Sequence, residues 1–405
     1  MKFKHFLYSG FILSSSMLLY GCDNLYDINS NQTNETTVEP VDERLNKLTI
    51  SSVGDVMIHN AQLVAQKQID GSYDFHNNFR LIKDYISNTD LSIANLETTI
   101  NKDRKLSSYP SFNSPAAILD ALKDTGFDVI STINNHSLDT GQSGIPSTIN
   151  EIKNKGLEYV GTRLSEEESR FITQEINNIK VGISSFSYAD ETNSNSYLNG
   201  IPSGASRPLL NTIDRASVSN SFNTIKEQVD LMKSDGCELI VLNLHWGEEY
   251  HQEPSSYQKE LARLLINEGV DIILGSHPHV VQPIETITSD DGEHTGVVFY
   301  SLGNIISNQQ EEEMGFTKSE NGLLPIIDVE KIDGKVELKD IQYIPTWVSR
   351  KFIGGDNKYE YTIVPLNEDL ETLSNTEGFA LSDLEKSLND TIRVVNNENI
   401  SIYTK

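Results

Sequence analysis

Two histidines bracket a proline in Gly275-Ser276-His277-Pro278-His279, directly after the apolar run 270–274. Imidazoles so placed are nitrogen donors at the end of a buried segment, and such donors hold divalent cations when other ligands join them. Further candidates stand at corresponding points of the chain. Asp55 follows Gly54, Glu97 closes Asn95-Leu96-Glu97, and Asn135 and His136 lie in Asn134-Asn135-His136-Ser137-Leu138-Asp139. His245 precedes Trp246-Gly247-Glu248-Glu249. Six of the nine histidines, His59, His136, His245, His251, His277 and His279, lie in or beside these segments. Oxygen and nitrogen donors of this mix suit Mn, Fe, Zn or Ni. Each has a plain structural explanation when taken singly. A histidine at a strand end is commonly held by hydrogen bonds, an Asp after glycine caps a turn, and Asn tolerates the left-handed region. Taken together, each at the carboxyl end of an apolar run, they point to one convergent centre.

The elements that must position these residues are short buried strands. Runs 48–53, 91–95, 127–132, 180–186, 238–244, 270–274 and 297–302 are apolar and rich in β-branched residues, which predicts strands. Helical patterns alternate with them. Ser114-Pro115 reads as a cap followed by proline at the first helical position, Ile118, Leu119 and Leu122 share a face, and Gly126 stops the helix. Ser255 or Ser256 opens another through Leu261, Leu264 and Leu265 that ends at Gly269, and 146–156 repeats the pattern. Such alternation is the mark of an α/β fold with a mainly parallel sheet, in which ligands bind beyond the carboxyl ends of strands.

After residue 308 the character changes. Gln309-Gln310-Glu311-Glu312-Glu313 reads as a charged loop. Runs 322–332, 335–343 and 361–364 read as antiparallel strands, with Asp333-Gly334 as the turn between the first two, and 377–396 has helical periodicity. The expected division is therefore a core domain over 48–308 and a small α+β extension over 309–405. Trp246 is expected to wall the cleft, Glu248, Glu249 and Glu253 to form a solvated acidic loop, and Arg350-Lys351 to be plain solvated charge.

The composition excludes one class of partner. With 32 Lys and Arg against 59 Asp and Glu, the formal charge is -27, and no basic stripe exists to neutralise the phosphates of a nucleic acid. The N-terminus speaks of export. Lys2 and Lys4 precede an apolar run over 6–20 and then Leu19-Tyr20-Gly21-Cys22, a secretory signal too short to span a bilayer. It resembles a bacterial lipobox, which implies removal of 1–21 and a lipid on Cys22. Residues 23–47 are rich in Asn, Thr, Asp and Glu and read as a flexible tether, giving an anchored stretch over 22–47. The expected location is the cell membrane, lipid-anchored on the extracytoplasmic face. Only Cys237 would then remain as a free thiol, so no intrachain disulfide is possible.

Gly54-Asp55-Val56-Met57, Asn95-Leu96-Glu97, Asn134-Asn135-His136, His245-Trp246-Gly247, Gly275-Ser276-His277-Pro278-His279 and Tyr300-Ser301-Leu302-Gly303-Asn304 together resemble the CapA family of bacterial capsule and poly-γ-glutamate synthesis. The resemblance covers about residues 48–308 and extends to the calcineurin-like metallophosphoesterases. It implies a four-layered α/β/β/α sandwich holding two divalent ions, Mn, Fe or Zn. Carried over residue by residue, Asp55, Asn135, His245, His277 and His279 match metal ligands, and His136 matches the histidine that protonates the leaving group. The sequence departs from the pattern at three points. Met57 stands where a ligand histidine is usual, leaving His59 as the substitute; Glu97 replaces the bridging aspartate; and Asp139, rather than residue 137, is the acid available to orient His136.

Two such ions would sit about 3.5–4 Å apart, activate water and clamp both oxygens of an in-line displacement, with His136 as general acid. A γ-glutamyl amide would instead have its carbonyl polarised. The resemblance implies a role in synthesis, export or anchoring of poly-γ-glutamate or a similar envelope polymer, with the anionic polymer or its membrane-embedded synthesis and export proteins as partners. Two alternatives stand beside it: a general phosphodiesterase or phosphatase of the envelope, and a non-catalytic scaffold of an export complex. Polymerisation itself would need an ATP-dependent ligase, and no Gly-rich phosphate loop ending in Lys and Ser or Thr occurs here.

Overall fold

Every residue of the strand Leu239–His245 is buried, and its side chains divide by parity. Leu239 and Val241 join Leu48, Ile50, Leu91, Ile93 and Val129 in one apolar cluster. Ile240, Leu242 and Leu244 join Ile225, Val229, Leu261 and Leu265 in another. Because a strand alternates its side chains between two faces, a run apolar at every position must be covered on both. The same split recurs in Leu91–Leu96, where Leu91 and Ile93 face the first cluster while Ala94 and Leu96 face a third, with Phe79, Ile82, Ile118, Leu119 and Leu122.

The computed structural model describes residues 45–405 apart from 316–317, 356–357, 396, 398 and 405. The expected signal over 1–21, the lipid-bearing Cys22 and the tether up to residue 44 lie outside the described residues. Two nine-stranded sheets pack face to face. The first runs Lys358–Pro365, Lys335–Gly354, Asn321–Ile332, Lys47–Val56, Leu91–Leu96, Val129–Ser131, Glu158–Val160 in spatial order. The second runs Ile284–Thr288, Thr295–Phe299, Ile272–Ser276, Leu239–His245, Ile179–Glu191, Ser196–Leu198, Ile201–Pro202. Leu48, Ile50, Leu91 and Ile93 of the first meet Val181, Leu239, Val241 and Ile272 of the second. Ala117–Thr125 covers the outer face of the first sheet; Val218–Ser234 and Ser256–Asn267 cover that of the second. The molecule is therefore the α/β/β/α sandwich that the resemblance implied.

The central strands of both sheets are parallel, so their carboxyl ends share an edge. Lys47–Val56 pairs in parallel with Leu91–Leu96, and that with Val129–Ser131. Leu239–His245 pairs in parallel with Ile179–Glu191 and Ile272–Ser276. Antiparallel strands from the C-terminal third continue the first sheet: Asn321–Ile332 pairs directly with Lys47–Val56. Asp333-Gly334 makes the expected hairpin turn, both residues having positive φ as a type I′ turn requires. The following strand runs on to Gly354, well past the expected end at residue 343; the helix expected over 377–396 is Leu381–Val395, and an unexpected one, Leu370–Glu377, precedes it and ends at Gly378 in a left-handed cap.

One crossing segment ties the two sheets together. After Thr295–Phe299 in the second sheet the chain passes through 300–303 into Asn304–Ile306, which pairs with the end of Lys47–Val56 in the first. On the way Leu302 N–H donates to Gly275 O (2.9 Å) and Gly303 O accepts from Asp55 N–H (3.0 Å). The backbones approach so closely that a Cβ on Gly54 would lie 1.9 Å from Gly303 O, and one on Gly275 2.0 Å from Tyr300 O. Only glycine fits at these two positions.

Candidate metal centre

The carboxyl ends of the parallel strands bring the predicted residues together. Asp55 ends the first strand at a β-bulge between Val53 and Asp55, a device that re-aims a side chain at a strand end. Asn95 sits at the end of Leu91–Leu96 and Glu97 just beyond it. Asn134, Asn135 and His136 follow Val129–Ser131, His245 ends its own strand, and His277 and His279 follow Ile272–Ser276. His277 (φ 96°) and His279 (φ 57°) both lie in the left-handed region, unusual for side chains of this size and tolerated where the surroundings over-determine it. Pro278 O is fixed by Tyr250 N–H (2.8 Å), and His277 N–H donates to Asp55 Oδ2 (3.3 Å). That geometry turns two imidazoles one residue apart into the same space.

The donor atoms converge. Glu97, His245 and His277 offer atoms all within 4.8 Å of one another, and so do Asp55, Glu97 and His279. Glu97 belongs to both sets. Its Oε1 lies 3.7 Å from His245 Nε2, 3.8 Å from His279 Nε2 and 4.0 Å from His136 Nε2. Asn135 Oδ1 lies 3.0 Å from His245 Nε2, and Asp55 Oδ2 3.1 Å from His279 Nδ1. His136 Nδ1 is 2.7 Å from Asp139 Oδ2, the orienting contact expected for a proton-transfer pair.

The residues fit a cation on grounds of their own. Glu97 is fully buried, and neither of its carboxylate oxygens has a hydrogen-bond partner; His277 Nδ1 is likewise buried and unpartnered. A buried carboxylate left so costs several kcal/mol unless a positive charge compensates it. Burial, reinforced by the Asp55 charge, raises the Glu97 carboxyl well above its ordinary range. Burial, then the neighbouring imidazoles, hold His245 and His277 well below theirs, the neutral state a ligand needs. Burial opposes protonation of His279 too, but the hydrogen bond and charge of Asp55 outweigh it and raise that imidazole.

His59 stands outside both donor sets. Its Nδ1 accepts from Asn308 N–H (3.1 Å), burial drives its pKa down to about 4, and the edge of Phe112 packs against its ring as it does against His136. His251 is exposed, its Nδ1 against Glu249 O. Trp246 does not wall the cleft: it is fully buried on the opposite face with Leu244, its Nε1–H donating to Tyr300 O (3.0 Å). Period-two alternation from His245 carries that answer in the sequence. Arg350 is not solvated charge but is paired with Glu312 and Glu313 over the Tyr359 ring.

Three contributors were not legible as site residues. Asn304 places Oδ1 3.1 Å from His279 Nδ1, from the crossing segment. Glu249, expected in a solvated loop, is exposed but offers a carboxylate within 4.8 Å of donors on His277 and His279. Tyr188 lies parallel to His245 and 4.6 Å from His277, ring centre to ring centre. Asn304 was part of a quoted motif; Tyr188 carries no local signal, since only the register of Ile179–Glu191 against Leu239–His245 brings it there.

Four packed layers with a buried carboxylate–imidazole cluster at the shared strand ends define an α/β/β/α sandwich with a candidate metal centre. The family model described as bacterial capsule synthesis protein PGA_cap matches residues 49–309, and the chain belongs to that family. Among its relatives, the capsule biosynthesis protein CapA of Bacillus anthracis is 30% identical over 297 residues, 71% of this chain and 65% of that protein. The PGA biosynthesis protein CapA of Bacillus subtilis (strain 168) is 27% identical over 282 residues, 68% of this chain and 66% of that protein. The chain thus spans just under two thirds of the length of these relatives. Among solved structures, the calcineurin-like phosphoesterase YfkN from Bacillus subtilis aligns with a TM-score of 0.42 at 15% identity, covering 87% of this chain and 99% of that one.

Proposed function

We propose that this chain acts on a capsule-type envelope polymer, of which poly-γ-glutamate is the model case, through a divalent-metal centre built by Asp55, Glu97, Asn135, His245, His277 and His279. The observation that carries the reading is Glu97, a buried carboxylate with two unpartnered oxygens ringed by imidazole nitrogens. The polymer comes from the family, in which both Bacillus relatives carry capsule or PGA biosynthesis in their names. Export through residues 1–21 and a lipid on Cys22 belong to the same proposal, holding the centre at the outer face of the membrane beside the proteins that make or move the polymer.

Bound divalent cations would supply Lewis-acid polarisation of a carbonyl or phosphoryl oxygen. The chain's own residues do the rest. Asp139 holds His136 by its Nδ1, so that His136 Nε2 can deliver a proton to a leaving group above Glu97. The test is the metal content of the purified protein by elemental mass spectrometry, before and after reconstitution with Mn, Fe or Zn. About two equivalents per chain are expected. A value near zero under every condition would overturn the reading and leave a scaffold.

A further inference from the structure

At the mouth of the centre stands a single arginine. Arg215 follows the short strand Thr212–Asp214, and its backbone N–H donates to Ala189 O (3.2 Å), next to Tyr188. Its guanidinium lies over the Tyr188 ring, 5.1 Å from the centroid, and the same ring packs against His277 and His245, with centroids 4.6 and 6.2 Å away. Among the described residues it is the one lysine or arginine stacked on this wall; the other stacked arginine, Arg350, lies over Tyr359.

The fork of Arg215 is held only by two loose ion pairs. The nearest carboxylates, Asp190 and Glu248, stand at 3.6 and 3.9 Å, beyond hydrogen-bond distance, and both are exposed. In a chain with 59 acidic and 32 basic residues, a half-exposed guanidinium beside a cluster of metal-ligand type, with only loose ion pairs to exposed carboxylates that an incoming oxyanion can displace, is an unusual placement. Planar donors of this kind recognise oxyanions bidentately, and the aromatic face beneath fixes their plane.

Resting on the reading of the centre given above, we propose that Arg215 and Tyr188 form its oxyanion subsite. They would take a carboxylate or phosphoryl group of the substrate and set the reacting bond over Glu97. Arg215 is in this sense a specificity residue.

The experiment is calorimetric titration of the metal-loaded protein, R215Q and R215K with three probes. These are inorganic phosphate, a γ-linked glutamate pentamer, and the same pentamer with its carboxylates amidated. R215Q should weaken at least one anionic probe about tenfold or more, R215K should recover part of the loss, and the neutral pentamer should be unaffected by either change. Loss confined to the pentamer identifies a carboxylate as the group; loss confined to phosphate identifies a phosphoryl group. Equal affinity of wild type and R215Q for both anions, no measurable affinity of wild type for either, or a fall in metal content of R215Q would overturn the subsite. Metal content is read first on the wild type. If it is nil, the metal reading falls by itself, and an anion affinity that still depends on Arg215 keeps the subsite standing.

Discussion

The two sheets contribute different chemistry to one site. Strand ends of the first supply oxygens, from Asp55, Glu97 and Asn135, with His136 beside them, while Asn95 and Asn134 brace the site by donating Nδ2–H to Asp55 Oδ1 and Leu96 O. Strand ends of the second supply nitrogens, from His245, His277 and His279, and the aromatic wall of Tyr188. The first carries the buried carboxylates that would balance a cation's charge, and the second most of the imidazole nitrogens that would complete its coordination. The centre therefore exists only when the sandwich is closed, and it reports on that closure.

The sharpest way to break the comparison is to remove the charge of the first sheet. E97Q should lower metal affinity by about 100-fold or more, beyond the 10–100-fold typical of residues that merely support a ligand. The same variant should make the metal-free protein more stable, by about 1 kcal/mol or more, because at neutral pH the wild type must take up a proton on Glu97 to bury it and glutamine need not. Metal titration and metal-free denaturant midpoints check both, and a drop in both quantities together would mean that Glu97 is a packing residue.

The second way leaves every donor in place and parts the sheets. G54A puts a Cβ into Gly303 O and should cost about 1–3 kcal/mol of folding stability, with metal affinity falling alongside as Asn304 and Asp55 separate. Unchanged unfolding midpoints would show that the crossing segment yields freely.

The smallest effect is one of pH. In the metal-free protein the raised Glu97 and His279 hold protons that free side chains would have given up, while a cation requires both deprotonated. Binding must then release protons, so affinity should rise with pH across neutrality, by up to about tenfold per pH unit for each proton released. Calorimetry in buffers of different ionisation enthalpy counts those protons; E97Q should lower the count. No release in wild type would place Glu97 outside the centre.

Much of this was legible because strands buried on both faces appear as unbroken apolar runs, and a polar residue ending such a run stands out. Asp55, Glu97, Asn135, His136, His245, His277 and His279 were all found that way, and the layering came from the family resemblance. What stayed hidden depended on pairing between distant segments. Nothing local marks Tyr188 or Arg215, which the register of the second sheet delivers, and nothing in 322–332 declares that it will lie against Lys47–Val56. His59 was inferred from an absence at Met57, and the fold turned its ring towards Asn308 instead.

The placement of Lys47–Val56 sets an order of events. This strand is the first of the described chain, yet it lies inside its sheet, between Leu91–Leu96 and Asn321–Ile332. A chain emerging amino end first can pair one of its edges early, but must leave the other waiting until almost everything else has arrived. Such long-range pairing is slow and leaves an edge open to the wrong partner meanwhile. A nascent molecule cut off near residue 309, where the family match ends, would carry all six proposed ligands and still lack the strand that shields its first one.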